Sequence, residues 1–210
     1  MNFFLNSMAA GASIALGSYA YLSVESRYLG AFLFIVGLYA VCQYGLPLYT
    51  GRIAYLGRAG GDTATRLMMM LVGNFLGAAI VGLLFLPTAS GMDVLAIVSK
   101  KIVQPAQESF IRGFFCGALV FLAVDIFRRF DDPLGRYLGL LLGVPAFILS
   151  GFEHCVADMF YLAAAWRWGL ALEAKSLMFM LMVILGNTIG ALALNAIMPQ
   201  AVPKSSTFKR

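Results

Sequence analysis

Charge is what this sequence has least of. Of its 210 residues only 12% are Asp, Glu, Lys or Arg, whereas 61% are apolar. A soluble domain carries about 25% charged and about 45–50% apolar residues, so a water-exposed globule is excluded. Disorder is excluded on the same ground, because disordered chains are poor in apolar residues and rich in charge. Cysteine is scarce too. Three residues, Cys42, Cys116 and Cys155, all inside apolar runs, cannot staple a secreted scaffold and read as reduced packing residues. A single histidine leaves no Cys/His cluster with metal spacing. No Gly-rich phosphate loop occurs. The net charge of +5 belongs to membrane-facing loops rather than to a nucleic-acid surface.

What is present is a set of long uncharged runs: 1–24, 28–51, 67–92 and 176–203. Each exceeds the roughly 20 residues a helix needs to cross a bilayer. Barrel strands would alternate apolar and polar residues over about ten positions, and these runs do not. The sequence therefore predicts an all-α membrane protein. Six spans are expected, near 2–22, 28–46, 67–86, 109–127, 137–150 and 176–198, with spans two and five continuing beyond interruptions. The first run lacks the basic flank of a signal peptide and is read as a retained span. The whole chain, 1–210, is expected to form one channel domain.

Lysine and arginine placement sets an orientation. One face gathers Arg52, Arg58, Arg66, Arg128, Arg129, Arg136, Lys204, Lys209 and Arg210. The other holds Arg27, Lys100, Lys101, Arg112, Arg167 and Lys175. The positive-inside rule puts both termini in the cytoplasm.

The halves of the chain resemble each other. Gly73-Asn74-Phe75-Leu76-Gly77-Ala78 in span three and Gly186-Asn187-Thr188-Ile189-Gly190-Ala191 in span six both read G-N-x-[LI]-G-A. Gly11-Ala12 in span one pairs with Gly117-Ala118 in span four. A repeat of three spans, residues about 1–90 and about 105–200, must invert in the membrane, which is a transporter and channel pattern. Span two is interrupted around Gly45-Leu46-Pro47-Leu48-Tyr49-Thr50-Gly51, and span five around Ser150-Gly151-Phe152-Glu153-His154-Cys155. Paired discontinuous spans point to a binding site.

Ionisable residues at membrane depth cost free energy and mark function. His154 lies in the second interruption and titrates nearest neutral pH. Glu153 beside it is expected to hold the break by accepting from helix N-terminal amides. Asp158, one turn on, is expected to be bonded within the protein. Asn74 and Asn187 are expected to bind backbone groups of the two breaks. Lys100 and Lys101, read as part of the loop before span four, would draw anions by Coulomb focusing.

These motifs carry a resemblance. Gly151-Phe152-Glu153-His154-Cys155-Val156-Ala157-Asp158-Met159-Phe160 closely resembles the G-F-E-H-S-x-A-N-M-F signature of the formate/nitrite transporter family. Leu48-Tyr49-Thr50 looks like that family's L-F-T, and the two G-N stretches resemble its paired segments. The resemblance runs from about Gly11 to Ala196. It implies an aquaporin-like six-helix protomer in a homopentamer of the bacterial inner (plasma) membrane, conducting small monovalent anions such as formate, nitrite or hydrosulfide. It implies that His154 is the central pore histidine with Thr50 as partner and Asn187 nearby. Phe34, Leu38 and Phe147 would form one apolar constriction, Leu48 and Val120 the other. Lys101 would polarise the pore centre. Asp158, Pro47, Tyr49 and Gly117 depart from the pattern, which has asparagine at the first position.

A bare anion would pay heavily to cross an apolar ring. A weak acid avoids this by crossing neutral, with a proton from His154 or water, so proton coupling is expected. No cofactor is required. An aquaporin-like neutral-solute channel is the alternative, although neither G-N segment reads N-P-A. A membrane enzyme is disfavoured because no nucleophile–base pair is present.

Overall fold

The computed structural model describes residues 2–57, 62–88 and 91–198. The segment containing Arg58 and the one with Lys204, Lys209 and Arg210 lie outside the described residues. Among the described residues ten α-helices follow one another: α1 Phe3–Leu22, α2 Arg27–Leu33, α3 Ile35–Gln43, α4 Tyr49–Arg52, α5 Ala64–Leu83, α6 Val94–Ile102, α7 Ala106–Arg129, α8 Pro133–Leu149, α9 Cys155–Arg167 and α10 Ala174–Ile197. A short 3-10 turn, Ile53–Tyr55, continues α4. No strand occurs among the described residues. Among the described residues three helices, α5, α7 and α10, are each long and apolar enough to cross a bilayer. Their outward faces stay apolar: Phe75, Ile80, Phe115, Leu181 and Leu185 are all exposed. Exposed apolar faces of this size suit lipid rather than water.

Polar side chains start several helices. Asn2 accepts from Phe4 N–H, Ser26 from Leu29, Thr63 from Arg66 and Asp132 from Gly135. These satisfy amides that the first turn leaves without partners. Asp93 does the same for α6, accepting from Leu95 and Ala96. That helix was not anticipated: Lys100 and Lys101 sit in its last turn, not in a loop. The Ser-Lys-Lys end masked its periodicity, while Asp93 at its start was the available signal.

The closest packing occurs twice in the same form. α1 lies against α5, and α7 against α10. A Cβ at Gly11 would stand 2.0 Å from the Asn74 carbonyl oxygen, and one at Gly117 would stand 2.1 Å from that of Asn187. Gly77 and Gly190 would each bring a Cβ to 1.9 Å from a backbone oxygen, of Met8 and of Phe114. Only glycine lets backbones approach this closely, as is common between membrane helices. The G-N-x-[LI]-G-A stretches are therefore contact seams, with asparagine projecting from each.

Both interruptions also end their helices alike. After α3, Gly45 adopts φ +64°, Leu46 N–H donates to Val41 O at 2.9 Å and Gly45 N–H to Cys42 O. After α8, Gly151 adopts φ +71°, Phe152 N–H donates to Phe147 O at 2.9 Å and Gly151 N–H to Ile148 O. This is a left-handed glycine closing a helix with crossed hydrogen bonds. The expected interruptions thus lie at 44–48 and 150–154. The second predicted span is further divided at Phe34, between α2 and α3.

Candidate pore site

Each G-N asparagine clamps one interruption. Asn74 Oδ1 accepts from Tyr49 N–H at 2.9 Å, the first amide of α4, and its Nδ2 donates to Pro47 O at 3.0 Å and Ser7 O at 2.7 Å. Asn187 Oδ1 accepts from Cys155 N–H at 2.9 Å, the first amide of α9, and its Nδ2 donates to Glu153 O and Gly113 O, both at 2.8 Å. Both asparagines are fully buried. A buried primary amide with its acceptor and both donors used suits a place where two backbone segments must be held together without charge. Asn187 is thus bonded to the backbone on either side of His154.

His154 is buried at the N-cap of α9. Its Nδ1 accepts from Ala157 N–H at 3.2 Å, and its Nε2 lies 2.9 Å from Thr50 Oγ1. Acceptance at Nδ1 puts the ring proton of a neutral imidazole on Nε2, which donates to the Thr50 hydroxyl oxygen. Thr50 is fully buried on α4, so this one bond joins the two interrupted segments. The Phe147 ring stacks on His154 at 5.8 Å, and Phe34 meets Phe147 edge to face, also at 5.8 Å. Phe34, Leu38, Phe147, Leu48 and Val120 are all buried.

Glu153 does something other than expected. Its carboxylate does not bond helix N-terminal amides. It takes Lys101 Nζ on Oε2 and Gln104 Nε2, at 3.2 Å, on Oε1. The N-cap of α9 is occupied by the His154 ring, so the carboxylate is free to turn to α6. Asp158 Oδ1 takes the same Lys101 ammonium at 3.0 Å. Lys101 therefore stands between two carboxylates, which are 3% and 1% exposed. Tyr161 faces the ammonium with its ring at 5.4 Å.

Two recesses approach this centre. The first, about 180 Å³, is lined by Phe34, Phe147 and His154, by Lys101, Glu153 and Asp158, and by Arg27 and Arg112. The second, about 320 Å³, is lined by Leu48 and Gly51, which flank Thr50 closely, and by Arg52, Arg128 and Arg136. Leu38 and Val120 line neither recess. The sequence places Arg27 and Arg112 on the less basic face, Arg112 within the fourth expected span. Arg27 Nη2 donates to Ile148 O and Leu149 O at 3.0 Å, and Arg112 Nη1 to Gly151 O at 2.7 Å. Both satisfy carbonyls at the C-terminal end of α8, where cations are favoured. Arg112 is also tied to Glu108, one turn before it on α7.

A family model described as formate/nitrite transporter matches residues 1–201. The chain belongs to the formate/nitrite transporter family. Family members are transporters and channels rather than enzymes. The chain is 29% identical over 233 residues to the nitrite transporter NirC of Escherichia coli, covering 98% of this chain and 85% of that one. It is 28% identical over 181 residues to the formate channel FocA of Haemophilus influenzae, covering 75% of this chain and 64% of that one. Among solved structures, an ion channel of the same family superposes with a TM-score of 0.78 at 28% identity, covering 90% of this chain and 85% of that one. A pentameric formate channel with formate bound superposes at 0.76, covering 90% and 91%, and at 24% identity shows the fold. As a formate/nitrite transporter homologue the chain is an integral membrane protein, and its apolar outer faces agree with that.

Proposed function

We propose that this protein conducts small monovalent weak-acid anions, formate, nitrite or hydrosulfide, together with a proton, through a pore within each protomer. The observation that carries the reading is the buried Thr50–His154 hydrogen bond, which ties together two interrupted helices between recesses lined with arginine. Cations at both approaches favour an anion over the alternative neutral solute. The names of the FocA and NirC relatives support the same substrate class.

The pore has six spans: α1, α2–α3 with α4, α5, α7, α8 with α9, and α10. Residues about 1–90 and about 105–200 form an inverted, aquaporin-like repeat. The twin glycine seams and the twin asparagine clamps support it. The protomers assemble as a homopentamer in the inner (plasma) membrane, as the pentameric neighbour suggests. Both termini are cytoplasmic.

In this reading an anion enters the first recess under the field of Arg27 and Arg112. There it gains a proton, because the ring formed by Phe34, Leu38 and Phe147 offers no replacement for the hydration of a charge. The neutral acid passes His154 and Thr50, whose hydroxyl is the polar contact at the centre. Leu48 and Val120 form the second constriction, and the acid ionises again beside Arg52, Arg128 and Arg136. Lys101 and Glu153 brace the site from α6, with Asp158 beside them. Asn187 and Asn74 hold the breaks.

The test is reconstitution in liposomes with uptake of formate, nitrite and hydrosulfide compared with glycerol at about pH 5.5 and about pH 7.5. Anion uptake that carries protons inward, rises at the lower pH and excludes glycerol is expected. Glycerol flux without anion flux would move the assignment to a neutral-solute channel.

A further inference from the structure

The cluster of Lys101, Glu153 and Asp158 contains one cation and two carboxylates, all in the wall of the first recess. Fully ionised, it would carry a net negative charge where water is largely excluded and where an anion must enter. Two carboxylates sharing one site do not both stay ionised when a proton can relieve them. Their surroundings differ. Glu153 uses both oxygens, one on Lys101 and one on Gln104. Asp158 uses only Oδ1. Its Oδ2 is buried and has no hydrogen-bond partner. A bare buried carboxylate oxygen is costly, whereas a protonated one is a hydrogen-bond donor, carried here by a residue that lines the first recess.

We propose that Asp158 is the proton donor of the pore, holding a proton on Oδ2 at neutral pH and passing it to the weak-acid anion in the first recess. The Asp158 O–H bond breaks as an O–H bond forms on formate or nitrite. The Asp158 carboxylate is left paired with Lys101 and takes its next proton from water entering the recess. No group is oxidised or reduced. The neighbouring groups do not compete for the role. On its own helix, His154 uses Nδ1 as an acceptor and turns Nε2 toward Thr50. Cys155 and Tyr161 on that helix, Tyr21 from α1 and Cys116 from α7 are thiols and phenols, a weaker class of acid than a carboxyl. Arg112 and Arg27 are permanent cations bonded to the carbonyls ending α8. Lys101 is fixed by the carboxylates themselves.

This rests on the anion-channel reading, so the experiment has two arms. Infrared spectra of the full chain at about pH 7.5 read the proton directly. A protonated-carboxyl C=O band is expected that moves to lower frequency when aspartate is labelled with carbon-13, is lost in Asp158→Asn, and in Asp158→Glu no longer responds to the aspartate label. No such band, or one insensitive to the label or retained in Asp158→Asn, overturns the proposal. Formate uptake is the second arm. Without an internal donor, flux follows the neutral acid in solution, which changes about 100-fold over two pH units. Asp158→Asn is expected to show that steep rise between about pH 7.5 and about pH 5.5, and the native protein less than about a tenfold rise. Parallel profiles overturn the proposal. If the native protein carries no anion at all, the functional reading falls and the transfer step with it, while the infrared arm still decides where the proton resides.

Discussion

Replacing Asn187 by Asp tests whether the second interruption is held by its asparagine clamp. The change preserves shape and the acceptor for Cys155 N–H, but it removes the two donated bonds, to Gly113 O and Glu153 O, each 2.8 Å. Two carbonyls then face a carboxyl oxygen in a site with no solvent access. Each buried group left without its partner costs about 1–3 kcal/mol, so a loss of about 3 kcal/mol is a conservative expectation. At about 2–4 °C per kcal/mol for a chain of this size, the melting temperature falls by about 6–12 °C. The Glu153 carbonyl adjoins His154 in the chain, so formate uptake falls as well. The pH dependence has a definite sign. The folded state favours the protonated form of the introduced carboxyl, which regains one donor, so the deficit shrinks as pH falls and grows as pH rises. Thermal unfolding of the solubilised protein across pH measures both effects. A variant melting within about 2 °C of the native protein at about pH 7.5, with unchanged uptake, would refute the clamp argument.

Gly117→Ala drives a Cβ to 2.1 Å from the Asn187 carbonyl oxygen; since both partners are backbone, α7 and α10 must separate, with an expected cost of about 3 kcal/mol or more read as lowered melting and uptake. Gly11→Ala does the same to α1 and α5 through Asn74. Thr50→Val keeps the volume but leaves the buried His154 Nε2–H without an acceptor, and is expected to cut formate flux at least about tenfold while costing only about 1–3 kcal/mol of stability. Arg27→Gln weakens anion capture at an exposed mouth, so the apparent affinity for formate should fall several-fold at low ionic strength and hardly at all in high salt, because exposed charges are screened.

The breaks were legible because they are written in unusual residues. Pro47 between Gly45 and Gly51, and the Gly151-Phe152-Glu153-His154 string, interrupt apolar runs that otherwise carry no signal. The G-N-x-[LI]-G-A repeat was legible as a repeat; that a Cβ at its Gly77 or Gly190 would come to 1.9 Å from a facing backbone oxygen, and that its asparagines are clamps, needed the packed helices. The short α6 was missed because nine residues ending in Ser99-Lys100-Lys101-Ile102 look like a polar loop. With that helix unseen, Lys101 could be read as a free attractant, and Glu153 as a cap. The role of Arg27 was likewise hidden, since its partners, the carbonyls of Ile148 and Leu149, lie more than a hundred residues away. Long-range polar pairing is set by tertiary approach, which no local pattern encodes.

The pairing of Lys101 changes where the attractive field of the pore must originate. An ammonium held between Glu153 and Asp158 has no charge to spare for an incoming ion, and Coulomb focusing from a neutral or negative cluster does not favour anions. The burden passes outward: to Arg27 and Arg112 on one side, and to Arg52, Arg128 and Arg136 on the other. The five do not share one arrangement. Arg52 is paired with Asp62 and Arg112 with Glu108, whereas Arg27 and Arg136 spend their donors on backbone carbonyls and keep their full charge. Carbonyl partners hold a guanidinium in place without neutralising it. In the proposed function an anion is thus concentrated at the two mouths by cations that remain charged and is met at the centre by a cluster that does not compete for it. Such a division lets the ion enter readily and still leave, which tight binding at the centre would prevent.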